Sequence, residues 1–558
     1  MLETIRKKYR EHPYVVCFVV FFLLSLFQFS YYGAKYYFQL DDYIQFYNYL
    51  QGPRWETIMA LHLFQSRPLA VLLDMYVWGP LYDHMWLAVV GLTCLMTISG
   101  VVFYAFLRRH FKTGPFFLVC YALFPMRLEG VYWCSAATRV VMVMFFCALS
   151  VWFLDSYAET KKKRHLTLFL VFQLMSFGFY EQAIPLSLAL TAVTLFLRRK
   201  QLGKRSLFAL FSFVNVAIYF GFCSLMSPAT GYSNRADIIL PTTIYYFKIL
   251  LPQVLDQFVK SMISSSIFIT VKGFVRGVQI LLADRAVVYI LILIAVSLCA
   301  FFWIRRQRRE ERPVKEEAAA EQKVRPLHNR LLYPVVGVIF TLAPPALFLF
   351  LSVPWICVRS TALSFVGLAI LCDWLLGVLV LLFKRHQQAA YATLSAALML
   401  VFLTASVSEL HDYKETYEND QRVLAAIESV YDPAMSSVAF LGVEPSYLED
   451  QNYFYHEHIH GVTESWWALS GALAAYSTSG SYTATPIRTE GNLYSSSANL
   501  DMTTYDDFYY IDKEFNIYHI NMEMEDEIPT FYFDDGTLLG HFESSEIWRQ
   551  LILEEPYV

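Results

Sequence analysis

The chain has 558 residues, of which 56% are apolar, 17% aromatic and only 16% charged. A soluble domain carries about a quarter charged residues, so the deficit argues against an ordinary soluble protein and for a polytopic membrane protein. The net charge of −4 hides an asymmetry: residues 408–558 hold 28 Asp and Glu against 5 Lys and Arg, a balance of −23. The remaining 39 Lys and Arg and 20 Asp and Glu leave residues 1–407 at +19.

This shift divides the chain into a basic, apolar part (1–407) and an acidic tail (408–558). Such a tail disfavours nucleic acid or an anionic lipid surface as its partner. All nine cysteines precede residue 373, mostly inside apolar runs. Their spacing fits neither a zinc site nor a disulfide framework, so they read as small buried hydrophobes.

From the N-terminus, apolar runs occur near 13–33, 85–107, 115–126, 139–155, 166–180, 183–197, 206–226, 286–304, 331–352, 361–383 and 389–407. The first lacks a small-residue cleavage site and reads as a retained anchor. Basic clusters fall at alternate gaps: Arg6 to Lys8, Arg108-Arg109, Lys161 to Arg164, Arg198 to Arg205, Arg305 to Arg330, and Lys384-Arg385. The positive-inside rule then predicts about eleven spans, a cytoplasmic N-terminus and an extracytoplasmic tail. Residues 308–330 read as a solvated, partly helical or disordered cytoplasmic linker.

In the tail, "YKETYENDQRVLAAIESVYD" has helical periodicity and "SSVAFLGV" reads as a strand. "DDFYYIDKEFNIYHI" and "TFYFDDGTLLGHF" read as hairpins, the second with Asp-Gly turn chemistry. The expected fold is an α-helical polytopic membrane domain followed by a small extracytoplasmic α/β domain.

The gaps between the basic ones carry the residues with chemical potential. The first holds Asp41, Asp42, His62 and Arg67, and the second holds Glu129, Tyr132, Trp133 and Arg139. Tyr180 and Glu181 occupy a gap of a few residues, and Arg359 is the charge in "PWICVRS". Taken alone, the acid pair marks a polar boundary or helix cap, and Trp133 an aromatic belt residue. Charges near the hydrocarbon cost about 2.5–3.5 kcal/mol each, so their collection on one side favours an outward polar cavity. Adjacent acids point in different directions, which argues against a dyad. A carboxylate there is suited to take a proton from a hydroxyl, and a guanidinium to hold phosphate with planar paired donors. The histidines His456, His458 and His460 of "HEHIH" lack a flanking cluster and read as surface residues rather than metal ligands.

With "LDDY" and "SRPL" in this order, residues 13–407 resemble the GT-C superfamily of polytopic glycosyltransferases, which use polyprenyl-phosphate-linked sugars. The closest likeness is to the bacterial branch related to O-antigen glucosyltransferases. The resemblance implies sugar transfer from that donor to a cell-surface glycan or lipid-linked acceptor at the outer face of a lipid membrane, and in-line attack opposite the phosphate predicts inversion at the anomeric carbon. It makes Asp41 the general base, with Asp42 a neighbour or metal contact. Arg67 would sit at the donor phosphate; we group Arg139 and Arg359 with it. His62, Glu129, Tyr132, Trp133 and Glu181 would line the cavity or acceptor side. Some members carry Asp-Glu where this chain has Asp-Asp, and Mg²⁺ or Mn²⁺ dependence differs among them, leaving metal use open. The rival expectations are a transporter or flippase of lipid-linked saccharides, which needs charges near the midplane, and a polysaccharide polymerase or ligase.

Overall fold

A computed structural model describes the chain except residues 1–11, 44–54, 56–58, 60–62, 227–238, 322–326, 353, 431–436, 444–460, 477–482, 488–500, 543–550 and 555–558. The helices used below are α1 (Pro13–Gln28), α2 (Trp86–His110), α3 (Phe116–Leu123), α4 (Cys134–Thr160), α5 (Lys163–Phe177) and α6 (Ala183–Leu197). They continue with α7 (Phe211–Met226), α8 (Ser265–Ala283), α9 (Val287–Glu321), α10 (Leu327–Leu342), α11 (Phe365–Leu379), α12 (Gln387–Glu428) and, in the tail, α13 (Trp466–Tyr476).

Among the described residues, six helical stretches are long and apolar enough to cross a membrane, or seven if Leu331–Leu342 and Pro344–Phe350, bent by 46°, form one span. One of the six, Tyr246–Ala283, lies between the expected runs 206–226 and 286–304 and is not among the expected spans, and the expected runs absent from the count are absent for a physical reason. A straight span needs about 20 residues, whereas α1 and α6 have 16 and 15, α5 has 15 and α3 has 8. Two expected runs also fall within one stretch, Val358–Glu428, interrupted at Lys384 by a positive φ of 41°.

Helix α4 is the hub of the bundle and is buried along most of its length. Helix α8 crosses α12 at close range. A side chain at Gly277 would come within 2.1 Å of the Thr404 carbonyl oxygen, and one at Gly273 would touch Ala405. Small residues spaced by four allow two apolar helices to approach this closely.

Helix α12 is continuous for 42 residues, so the compositional boundary at 407/408 falls within a rigid element that carries the bundle into the tail. The charged linker likewise continues α9 as helix as far as Glu321. Beyond α12 lie β1 (Ser437–Leu441), β2 (Thr483–Ile487), β3 (Asp507–Ile511), β4 (Ile517–Glu525), β5 (Ile528–Phe533), β6 (Leu538–Phe542) and β7 (Leu551–Leu553). They form one seven-stranded sheet in the order β2-β1-β3-β4-β5-β6-β7.

Strand β1 is parallel to β2 and β3, and the remaining pairs are antiparallel. Both expected hairpins are present, as β3–β4 and β5–β6. The second turns through Gly536 at φ 85°, a conformation available to glycine without Cβ strain. The two-residue alternation of the strands gives the sheet two apolar faces. Leu441, Phe508, Tyr510 and Phe531 pack on one face. On the other, Val438, Phe440, Tyr509 and Ile511 share a core with Leu40, Tyr43 and Trp133, which seats the tail on the acid loop.

Candidate functional site

The loop after α1 ends in a tight turn in which the Asp42 amide donates to the Gln39 carbonyl at 2.8 Å and the Tyr43 amide to Leu40 at 3.3 Å. Leu40 adopts φ 34°, a left-handed conformation that costs a non-glycine residue roughly 1–3 kcal/mol. Its buried side chain in the core shared with the tail holds it there.

The two acids diverge. Asp42 is wholly buried and accepts from the Tyr36 hydroxyl, from the Gln39 amide at 3.1 Å and from the Ser135 amide at 3.0 Å. Helix α4 has Trp133 at its N-cap, which makes no side-chain cap. Asp42 therefore caps α4 from a distant loop, where the helix dipole favours a negative oxygen. Burial nonetheless pushes the Asp42 carboxyl up to about 8, against the pull of its three donors. Asp41 is only partly buried and receives the Trp467 Nε1–H at 3.1 Å from the tail.

One turn into α4, Arg139 binds the Ser135 carbonyl and forms an ion pair with buried Asp74 at 2.8 Å. Burial raises the Asp74 carboxyl to about 6, although Arg139 opposes the shift.

The segment "SRPL" is held against the turn between α5 and α6, where the Leu69 amide donates to the Gly178 carbonyl at 3.0 Å. A Cβ at Gly178 would meet Leu69 at 2.8 Å, so glycine permits this approach. Arg67, which precedes the helix-opening Pro68, thereby meets Glu181 through Nε at 3.0 Å and Nη2 at 2.7 Å. It also lies 4.5 Å from the centroid of the Tyr180 ring. Burial would raise the Glu181 carboxyl, but adjacent Arg67 outweighs it and holds the group below its ordinary value, with Arg139 adding to the effect. Arg359 sits 4.8 Å from the centroid of the Trp133 ring and close enough to Arg67 to repel it.

Asp41, Asp42, Arg67, Arg139, Glu181, Trp133 and Arg359 thus belong to one linked layer. Glu129 and Tyr132 are buried. Tyr132 braces the acid loop, its hydroxyl contacting the Tyr37 amide and the Lys35 carbonyl, each at 3.3 Å. His62 and the "HEHIH" histidines lie outside the described residues.

Among the described residues no group of three or more His, Cys, Asp or Glu is placed to hold a metal ion. Both oxygens of Asp42, the candidate Mg²⁺ or Mn²⁺ contact, already accept hydrogen bonds, a donor set that does not fit a divalent cation.

Residue-level reading missed Asp74, Tyr36 and Trp467. Asp74 had a signal, an acid inside the apolar stretch "PLAVLLDMYVW". Trp467 had none, being 426 residues from its partner Asp41.

The opposite end of α4 carries a second charged layer. Asp155 accepts from Arg109 at 2.9 Å and from Arg198 at 2.6 and 2.8 Å, and contacts His110 at 2.8 Å. The twenty positions from Ser135 to Asp155 rise roughly 30 Å, about the thickness of the bilayer hydrocarbon. No family model, curated protein or solved structure matches the chain.

Proposed function

We propose that this chain is a polytopic membrane glycosyltransferase of the GT-C type. It moves a sugar from a polyprenyl phosphate to a cell-surface glycan or lipid-linked acceptor at the outer face. In this reading the eleven spans are α1 to α7, the apolar start of α9, α10 with its bent continuation, α11 and the apolar first half of α12; Tyr246–Ala283 stays on the outer side as an amphipathic element, and the tail lies outside. The observation that carries the proposal is the cluster of Arg67, Glu181, Arg139 and Arg359 near the start of α4, the same helix end to which Asp42 fixes the loop that carries Asp41 beneath the tail.

The acceptor hydroxyl oxygen attacks the anomeric carbon as the bond from that carbon to the phosphate oxygen breaks, which inverts the centre. Asp41 takes the hydroxyl proton. Its neighbour Asp42 acts as a positioning residue, fixing the loop to the α4 N-terminus. The departing phosphate needs cationic support in a water-poor site. Arg67 supplies it: Glu181 engages Nε and Nη2, and the arginine side chain retains 35% exposure. Arg359 lies nearby as a second cation.

The test is transfer of radiolabelled sugar from a polyprenyl-phosphate donor by purified protein in nanodiscs. Asp41→Asn lowers turnover by about 10²–10⁴-fold, the contribution of a general base, and Arg67→Ala lowers it comparably. Full transfer by both correctly inserted variants overturns the assignment.

A further inference from the structure

We propose that the basic end of α6 and α10 forms a binding site for an anionic phospholipid, separate from the layer around Asp41. Ala189, Ala192 and Phe196 of α6 face Leu332, Val336 and Ile339 of α10 across a cavity of about 310 Å³. The spacing puts each trio on one helical face. The two alanines leave room between the helices where larger side chains would interdigitate. Every lining group is apolar, so the space suits a hydrocarbon chain.

The rim of the groove supplies the charge. Arg199 lies one turn beyond Phe196, with its guanidinium 4.4 Å from that ring's centroid, so cation and groove are physically joined. Exposed Lys200 follows. Neighbouring Arg198 is committed to Asp155 and Glu159, whereas Arg199 and Lys200 have no acidic partner among the described residues.

An apolar slot ending in uncompensated cations matches an acyl chain with an anionic headgroup, a pairing found where basic pockets lie between transmembrane helices. Glu181 and Phe196 are fifteen positions apart along this part of the chain, roughly 22 Å at helical rise. The lipid head is therefore placed away from the candidate reaction centre, and its binding does not depend on glycosyl transfer.

Delipidated full-length protein in detergent is titrated with dioleoyl phosphatidylglycerol or dioleoyl phosphatidylcholine and bound lipid is counted by native mass spectrometry. Each membrane-facing cation contributes about fivefold in affinity, so the two make the wild type prefer phosphatidylglycerol by roughly twenty-five-fold, less at high salt. Arg199→Gln with Lys200→Gln abolishes the preference but leaves phosphatidylcholine binding. Ala192→Phe at an exposed position fills the groove and reduces retention of both lipids. Equal retention of the two lipids by the wild type, or an undiminished preference in the double variant, overturns the proposal. Displacement by soluble glycerol 3-phosphate overturns it in favour of a simple anion site. Displacement by polyprenyl phosphate at lower concentration than phosphatidylglycerol overturns it in favour of an isoprenoid groove.

Discussion

At Asp155 two arginines and His110 converge on one buried carboxylate, whereas at the other end of α4 charge is divided among separate pairs, Arg67–Glu181 and Arg139–Asp74. The first arrangement fastens α2, α4 and the segment after α6 at a single point and leaves the acid little freedom to do anything else. The second keeps Arg67 and Glu181 about a third exposed, at 35% and 32%. It also places Asp41 under a side chain of the tail. Clustered charge therefore does not by itself set a role: saturation suits a clamp, and divided, partly accessible pairs suit a site that meets a ligand.

The largest expected effect breaks the clamp. Asp155→Ala leaves buried Arg198 without its main partner, and losing one member of a buried pair costs about 3–5 kcal/mol. Denaturant unfolding in mixed micelles measures this, and a loss below about 1 kcal/mol would show that Asp155 is not the fastening point.

Asp42 provides a sharper contrast through pH. Its carboxyl titrates near 8 in the folded protein and near 4 in an unfolded chain. Between those values the folded state holds a proton that the unfolded state has released. Stability therefore falls as pH rises from about 4 to about 8 and levels off above. The melting temperature of the wild type follows this slope, while Asp42→Asn flattens it. An identical pH profile for the two proteins contradicts the assignment.

A smaller effect is expected at Arg67–Glu181. Because both partners are partly exposed, a double-mutant cycle with Arg67→Gln and Glu181→Gln should give a stability coupling of about 1 kcal/mol or less. A coupling of 3 kcal/mol would make this pair a clamp like Asp155 and remove the distinction between the two ends. Comparable in size is Trp467→Phe, which deletes one hydrogen bond to Asp41 and costs about 0.5–1.5 kcal/mol. Its cycle with Asp41→Asn checks whether that bond is the coupling; additive losses would place the cost of Trp467→Phe elsewhere.

Much of this architecture is legible residue by residue. Apolar runs are local, and so are the Asp-Gly turn before Thr537 and the strand-favouring aromatic run of 507–511; each depends on backbone preferences that neighbours impose. The one-sided grouping of Arg67, Glu181 and Arg359 was also legible, since the positive-inside rule sorts helix ends and paired charge is cheap only where it can gather.

Composition and patterning by themselves determined the helical, membrane-compatible class and the acidic tail. Tertiary structure decided how Asp41 and Asp42 differ. Identical in type and adjacent in sequence, they are separated in role by partners 93 and 426 residues away: Ser135 draws Asp42 into a helix cap and Trp467 holds Asp41 at the tail. Local propensity carries no record of such pairings, because burial and hydrogen-bond partners are properties of the assembled packing.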